Sequence, residues 1–323
     1  MANSPGPAKR YLPFGGMLSN PDWGIGRTKA YRSRPGRVET VKPEERLFAL
    51  RQLEVTYDKA RETLWTYMKP DGRPSYNPDM LADFRSWQDG IEAKFSGEDS
   101  NLRYLVLGSR YQGVFSFGGD LRLFAQKIRQ RDRETLVGYG NACVEILHRN
   151  MNALGLPIVT IGLVQGDALG GGFESLLSFD VVVAEKGAKF GFPEILFGLF
   201  PGMGAFSFLA RRIGSNKAQE LILSGKTYTA EDMHAMGVVH VLAEPGKGEA
   251  AVQDYIARSS RRHNGHRAIY QAAREVDRIS LLELKKIVSI WADAALKLRD
   301  QDLKIMERLV AAQDRLGVQT AAA

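Results

Sequence analysis

Apolar positions along this chain change rhythm several times, and the order of those changes predicts an α/β molecule. Residues 50–57 and 63–67 alternate or cluster apolar residues around a charged turn and read as two strands. The stretch "KPDGRPSYNP" that follows reads as loop. Over residues 78–95 the period lengthens to that of a helix, with Met80, Leu81, Phe84, Trp87 and Ile91 on one face. "YLVLGS" (104–109) reads as a buried strand and "VFSFGGD" (114–120) as a glycine-bearing loop. A helical stretch is expected from about residue 134 to 154, then a second buried strand, rich in β-branched residues, in "PIVTIGLVQG" (157–166). "DALGGGFESLLSFD" (167–180) gives a glycine turn feeding a short helix, and "VVVAEKGAKFGF" (181–192) holds two more short strands. Strands alternating with helices in this order point to right-handed β-α crossovers.

The last third reads as almost entirely helical. Ser280 and Glu283 have capping-box spacing, and Leu284, Ile287, Val288, Trp291, Ala294, Ala295 and Leu298 form one apolar stripe behind them. A further helix carries Leu303, Met306, Leu309 and Val310. The first residues read differently. Pro5, Pro7, Pro13, Pro21, Pro35 and Pro43, several glycines and a basic cluster between Arg27 and Arg37 leave too little apolar surface to offset ordering entropy. The expected organisation is a flexible arm over residues 1–43, an α/β core over 44–245, and a helical region over 246–323 that covers the active site.

Composition narrows the class. With 323 residues, 44% hydrophobic and 25% charged, the chain can bury a substantial core without staples. It has no run of 18 apolar residues, so no spanning helix is expected, and its first residues do not form a secretory signal. The single cysteine, Cys143, cannot form an internal disulfide, which fits a cytoplasmic protein, and reads as a buried structural thiol. A formal charge of +7 suits an acidic partner: nucleic acid, anionic lipid or an acidic carrier protein.

Three segments carry the candidate chemistry: Phe115-Ser116-Phe117-Gly118-Gly119-Asp120, Gly170-Gly171-Gly172-Phe173-Glu174, and Phe192-Pro193-Glu194. Each has a use if a thioester carbonyl becomes an enolate. The oxygen then needs two preorganised N–H donors, and glycine lets a backbone N–H approach a ligand closely. Gly119 and Gly171 can each supply one, Gly171 at a helix start where the dipole favours negative charge. Gly118 and Gly170 beside them belong to the same substrate-binding loops. Glu174, in the first helical turn, and Glu194, on a later loop, can converge on one carbon and move protons and a water-derived hydroxyl. Such a pair couples, one carboxyl holding a proton while the other ionises. Phe173 and Phe192 next to them are expected to raise the carboxyl pKa values.

With those residues in view, residues 100–243 resemble the crotonase (enoyl-CoA hydratase/isomerase) superfamily through "FSFGGDL", "VQGDALGGGFE", "FGFPEILFGLFPGMGA" and "LILSGKTYTAEDMHAMGVVH". The resemblance implies a spiral of repeated β-β-α turns with C-terminal helices over the site. It also implies an oxyanion hole from Gly119 and Gly171, catalytic carboxylates at Glu174 and Glu194, and assembly into trimers or hexamers. Within that superfamily, "GGGFESLLSF", "LFGLFPGMGAFSFLARRI" and "IWADAALKL…MERLVAAQDR" are similar to the diffusible-signal-factor synthases. That resemblance implies dehydration of a 3-hydroxyacyl carrier-protein thioester, followed by its hydrolysis to a cis-2-unsaturated fatty acid used in quorum sensing. Phe192 and "PGMGAFSFL" depart from the common hydratase pattern, which favours the synthases over an ordinary enoyl-CoA hydratase. A crotonase-fold regulator of a sensor kinase, or an RNA-binding relative, is the reading from another class. Both glutamates and both hole glycines weigh against a role in binding alone.

The remaining signals are weaker. His263 and His266 lack companion ligands, so no metal site is expected; His148, His234 and His240 read as structural, and no redox or metal cofactor is implied. Lys127, Arg129, Arg131 and Arg133 alternate along the chain, either a solvated face or a dock for an acyl-carrier protein. Met203, Leu209, Trp291 and Leu309 are the expected wall of an acyl tunnel.

Overall fold

The computed structural model describes residues 48–97 and 100–321; the arm expected over residues 1–43 lies outside them. β1 (Leu53–Asp58) and β2 (Thr63–Met68) form an antiparallel hairpin in the place of the first two predicted strands. α1 (Pro78–Phe95) starts where Asn77 accepts a hydrogen bond from the Met80 N–H and Pro78 occupies the first turn, and its predicted apolar face is buried throughout. Next come β3 (Tyr104–Ser109), β4 (Val114–Ser116), α2 (Leu121–Arg129), α3 (Arg133–Met151), β5 (Val159–Val164), β6 (Asp167–Leu169) and α4 (Gly171–Leu176). The chain continues through β7 (Val181–Glu185), β8 (Lys189–Gly191), α5 (Ala205–Ile213), α6 (Ser215–Ser224), β9 (Thr227–Thr229), α7 (Ala230–Ala235) and β10 (Val241–Ala243). Four helices close it: α8 (Gly248–Ser260), α9 (His263–Val276), α10 (Leu281–Ala295) and α11 (Asp300–Ala321).

The strands make two sheets, one ordered β1-β2-β3-β5-β7-β10 and one ordered β4-β6-β8-β9. Each turn of chain lays one strand in the large sheet and the next in the small one: β3 then β4, β5 then β6, β7 then β8. This is the spiral of β-β-α units that defines the crotonase fold. From β2 to β10 the large sheet is parallel, and β5 is buried on both faces, as a parallel strand between layers must be. One face packs Val159, Ile161 and Leu163 against Val252 and Ile256 of α8. Leu64, Leu105, Leu107 and Val164 join the main core with α1, α3 and α10.

The small sheet positions the site. β4, β6 and β8 are parallel, with Ser116 opposite Ala168 and Leu169 opposite Gly191. Their C-terminal ends therefore fall on one edge, where Phe117–Gly119, Gly170–Glu174 and Phe192–Glu194 leave the strands. Ligand sites of α/β sheets form at such edges.

Two expectations change. α2 occupies part of the stretch predicted to precede the helix, because Leu121, Phe124, Ala125 and Ile128 form a helical stripe hidden among its charges. Asp120 caps it by accepting from the N–H groups of Arg122 and Leu123. The alternating basic run is thereby split between the end of α2 and the start of α3, and three of its four residues pair internally. Lys127 pairs with Asp132 at 2.8 Å, Arg129 with Glu307 at 2.7 Å and Arg133 with Asp293 at 2.7 Å. The Ser280–Glu283 capping box is made in one direction only. Ser280 accepts from the Glu283 N–H, while the Glu283 carboxylate instead clamps Arg211 at 3.0 Å.

Candidate active site

Glu174 lies in the first turn of α4 and is 1% exposed. Its Oε1 accepts from the N–H groups of Met203 at 2.8 Å and Ala205 at 3.0 Å, at the start of α5. Burial pushes this carboxyl up to about 7, against the pull of those two donors, which favour the ionised form. Glu194 follows β8 on a short 3₁₀ turn, with Pro193 at its start. Its Oε2 is buried and has no hydrogen-bond partner among the described residues. Burial, with the neighbouring Glu174 charge as second cause, pushes Glu194 up to about 8. The carboxyl with two donors and the carboxyl with an orphaned oxygen form an asymmetric pair.

The glycines let the loops close together. Gly118 has φ of 85°, and a Cβ there would stand 2.3 Å from the Gly171 nitrogen. Gly170 has φ of 53°, and its Cβ would stand 2.6 Å from Glu194 Oε1. Both positions need glycine twice over, for the dihedral and for the space. Neither residue lines the cavity; they bring Gly119, Gly171 and Glu194 together. Among the described residues no backbone carbonyl accepts from the Gly119 or Gly171 N–H, and both glycines open onto the cavity.

That cavity measures about 220 Å³ and holds Glu174, Glu194, Gly119 and Gly171 together. Its walls are otherwise apolar, from Phe117, Phe124, Phe197, Leu199, Met203 and Trp291, with Leu309 on α11 at one side. Of the four residues expected to line an acyl tunnel, Met203, Trp291 and Leu309 line this cavity. Leu209 does not: it is fully buried in the core on α5. Phe173 and Phe192, expected to surround the carboxyls, are buried with their rings stacked at 4.8 Å, and the cavity wall itself is formed by Phe117, Phe124, Phe197 and Trp291.

Sequence reasoning missed Phe124 and Tyr139, which reach the cavity from α2 and α3. It also missed Gly202, where a Cβ would stand 2.4 Å from the Trp291 ring. The helical stripe of α2 was a usable signal for Phe124; for the other two only the tertiary packing brings them in. Cys143 is buried on α3, its thiol held well above the usual range by burial. His263 packs edge-on against Tyr104. Among the described residues no cluster of three His, Cys, Asp or Glu side chains could share a metal ion, and no helix is long and apolar enough to cross a membrane.

The arrangement offers one chemistry above others: two unspent N–H donors beside two carboxyls of raised pKa, in an apolar chamber, suit proton transfers next to a carbonyl that becomes an oxyanion.

Comparison with known proteins agrees. The enoyl-CoA hydratase/isomerase family model matches residues 93–286. The chain is 32% identical over 192 residues to the fatty acid oxidation complex subunit alpha of Pseudomonas savastanoi pv. phaseolicola, covering 59% of this chain and 25% of that protein. It thus spans about a quarter of the length of that curated relative. Enoyl-CoA hydratase from Bacillus halodurans superposes with a TM-score of 0.67 at 21% identity, over 80% of this chain and 100% of the other. DspI of Pseudomonas aeruginosa superposes with a TM-score of 0.58 at 26% identity, over 71% of this chain and 84% of the other.

Proposed function

The chain belongs to the enoyl-CoA hydratase/isomerase family, and from that premise we propose that it dehydrates a 3-hydroxyacyl thioester and then hydrolyses the thioester, releasing a cis-2-unsaturated fatty acid that serves as a quorum-sensing signal. The observation that carries the reading is the carboxyl pair beside two unused N–H groups in an apolar cavity.

In the first step the thioester oxygen sits between the N–H groups of Gly119 and Gly171. One carboxylate takes the proton from C2, and electron density moves onto the carbonyl oxygen. The other carboxyl gives a proton to the C3 hydroxyl, which leaves as water as the C2–C3 double bond forms. In the second step the carboxylate partner takes a proton from water as its oxygen bonds to C1. The tetrahedral oxyanion occupies the same hole, and the thiol departs with a proton from the pair. Both steps need two proton-transfer groups and one hole, and the cavity supplies that number. The apolar walls suit a fatty chain. The acyl group arrives on an acyl-carrier protein or on coenzyme A; the internal pairing of Lys127, Arg129 and Arg133, which among the described residues leaves out only Arg131, weakens the basic run as a reason to prefer the carrier protein. Assembly into trimers or hexamers, by analogy with the family, and a sensor kinase as regulatory partner complete the proposal.

The test is mass spectrometry of lipids released when the purified protein meets a 3-hydroxyacyl carrier protein. A free 2-enoic acid is expected. An enoyl group that stays on its thioester would leave an ordinary hydratase, and an untouched substrate would favour the purely regulatory reading.

The pair also sets a pH profile. Turnover needs one proton on two carboxyls whose pKa values are pushed up to about 7 and about 8. kcat/KM is therefore expected to fall below about pH 7, where both hold protons, and above about pH 8, where both are ionised. A profile flat from pH 5 to 9 would remove the pair from the chemistry.

A further inference from the structure

The two N–H groups of the proposed hole are aimed by different means. A peptide unit is planar, so fixing its carbonyl fixes the direction of its N–H. For Gly171 the matching carbonyl belongs to Gly170, and it accepts from the Glu174 N–H at 3.0 Å, the first hydrogen bond of α4. The helix itself therefore aims that donor. Gly119 has no such support: it sits between a residue in the left-handed region and the cap of α2, and glycine is the residue with the most backbone freedom.

Its two flanking peptides are instead pinned from outside. The Gly118 carbonyl, in the same peptide as the Gly119 N–H, accepts from the Tyr76 N–H at 2.7 Å. The Asp120 N–H, in the next peptide, donates to the Tyr139 hydroxyl at 3.2 Å. That hydroxyl in turn donates to the Tyr76 carbonyl. One phenol thus ties the peptide after Gly119 to the strut that holds the peptide before it. The strut is anchored at its far end too, since the Tyr76 hydroxyl meets Ser175 Oγ at 2.7 Å, next to Glu174. Tyr139 is buried, and that burial holds its pKa well above the usual value, so it keeps the proton it donates. Phe124 presses the assembly together: its ring meets Tyr139 edge-on at 5.0 Å, and a Cβ on Gly119 would stand 2.7 Å from it.

We infer that Tyr139 is a positioning residue for the oxyanion hole, acting through the Asp120 and Tyr76 backbone to hold the Gly119 N–H on the thioester oxygen. This rests on the reading of Gly119 as one half of that hole.

The experiment compares wild type with Tyr139→Phe, which keeps the ring and removes both hydrogen bonds. Two quantities are read: steady-state kinetics, and the carbonyl stretch of a bound 2-enoyl-CoA isotopically labelled at its carbonyl carbon. The bound carbonyl of wild type is expected at lower frequency than in water, because two donors polarise it. In Tyr139→Phe that shift shrinks, kcat falls on the order of tenfold or more, short of the loss for deleting a donor outright, and KM stays near wild type. Tyr104→Phe serves as the control, since it also deletes a buried tyrosine bond, to Ser259 Oγ, on the other face of the large sheet. It is expected to lower the melting temperature while leaving the carbonyl shift and kcat unchanged. Should Tyr139→Phe fail to fold, Phe124→Leu loosens the same clamp and is expected to reduce the shift in the same direction. A folded Tyr139→Phe, or in its place a folded Phe124→Leu, with the full wild-type shift and turnover overturns the positioning role. No shift in wild type itself overturns the hole, and the inference with it.

Discussion

Glu194→Gln and Glu174→Gln are each expected to fold and to lose at least about 100-fold in turnover, the usual scale for a general acid–base group. Glutamine keeps the volume of either side chain. At position 174 its amide oxygen can still accept from the Met203 and Ala205 N–H groups, so the junction of α4 with α5 survives. At position 194 no hydrogen bond to Oε2 is lost, because that oxygen has none among the described residues. What disappears in both cases is the proton that moves.

The same substitutions should leave a signature in stability. Both carboxyls have folded pKa values above the ordinary value of 4.5. Between the unfolded and folded pKa the native state binds more protons on these two groups than the unfolded one, so the stability they contribute is fully present below about pH 4.5 and is lost as pH rises towards 8. Glutamine does not ionise, so Glu194→Gln should melt above wild type at pH 9 and approach it at pH 5, apart from a pH-independent offset. Thermal unfolding at the two pH values checks this. A Glu194→Gln protein with near-wild-type turnover would remove the residue from the mechanism, whatever its stability.

Gly171→Val is expected to abolish most of the activity while α4 still forms. The residue begins a helix without a left-handed dihedral, so its backbone tolerates a side chain. The space does not. A Cβ would stand 1.9 Å from the Met203 methyl and 3.2 Å from both the Gly118 Cα and the Gly119 nitrogen. The methyl ends a flexible side chain and can swing aside; the two backbone atoms cannot do so without spreading the glycine loops. Valine therefore fills the gap a thioester oxygen must enter and pushes apart the two donors meant for it. Losing one such donor costs about 3 kcal/mol in the transition state, roughly 100-fold in rate. In the proposed reaction, dehydration and thioester hydrolysis place charge on the same oxygen, so both should fall together. A folded Gly171→Val protein that keeps one of the two activities would show that they do not share this hole. Gly118→Ala is the harsher counterpart, since the dihedral and the 2.3 Å approach to the Gly171 nitrogen both forbid it.

How the fold and site emerge from the sequence differs from element to element. The α1 face, the buried β5 strand and the α10 stripe were legible because burial on one side imposes a period that composition alone displays. The three glycine and glutamate segments were legible for another reason: they are local, each a few residues long, with types that few other roles require in that order. α2 was hidden because its apolar stripe of Leu121, Phe124, Ala125 and Ile128 runs among Arg122, Lys127 and Arg129, whose acidic partners include Asp314 and Glu307 on α11. No local pattern announces partners at the far end of the chain.

By itself, then, the sequence determined where the long helices and buried strands run and that the architecture is α/β, and it singled out the three short loops that meet at the cavity. The tertiary structure alone decided that Leu209 belongs to the core while Phe124, Tyr139 and Gly202 reach the cavity. It also decided that Glu174 is held by two N–H groups while Glu194 keeps an orphaned oxygen. The reason is physical. A side chain's periodicity says only that it faces inward, whereas which inward space it meets depends on the register of β4, β6 and β8 and on helices that return from the far end of the chain.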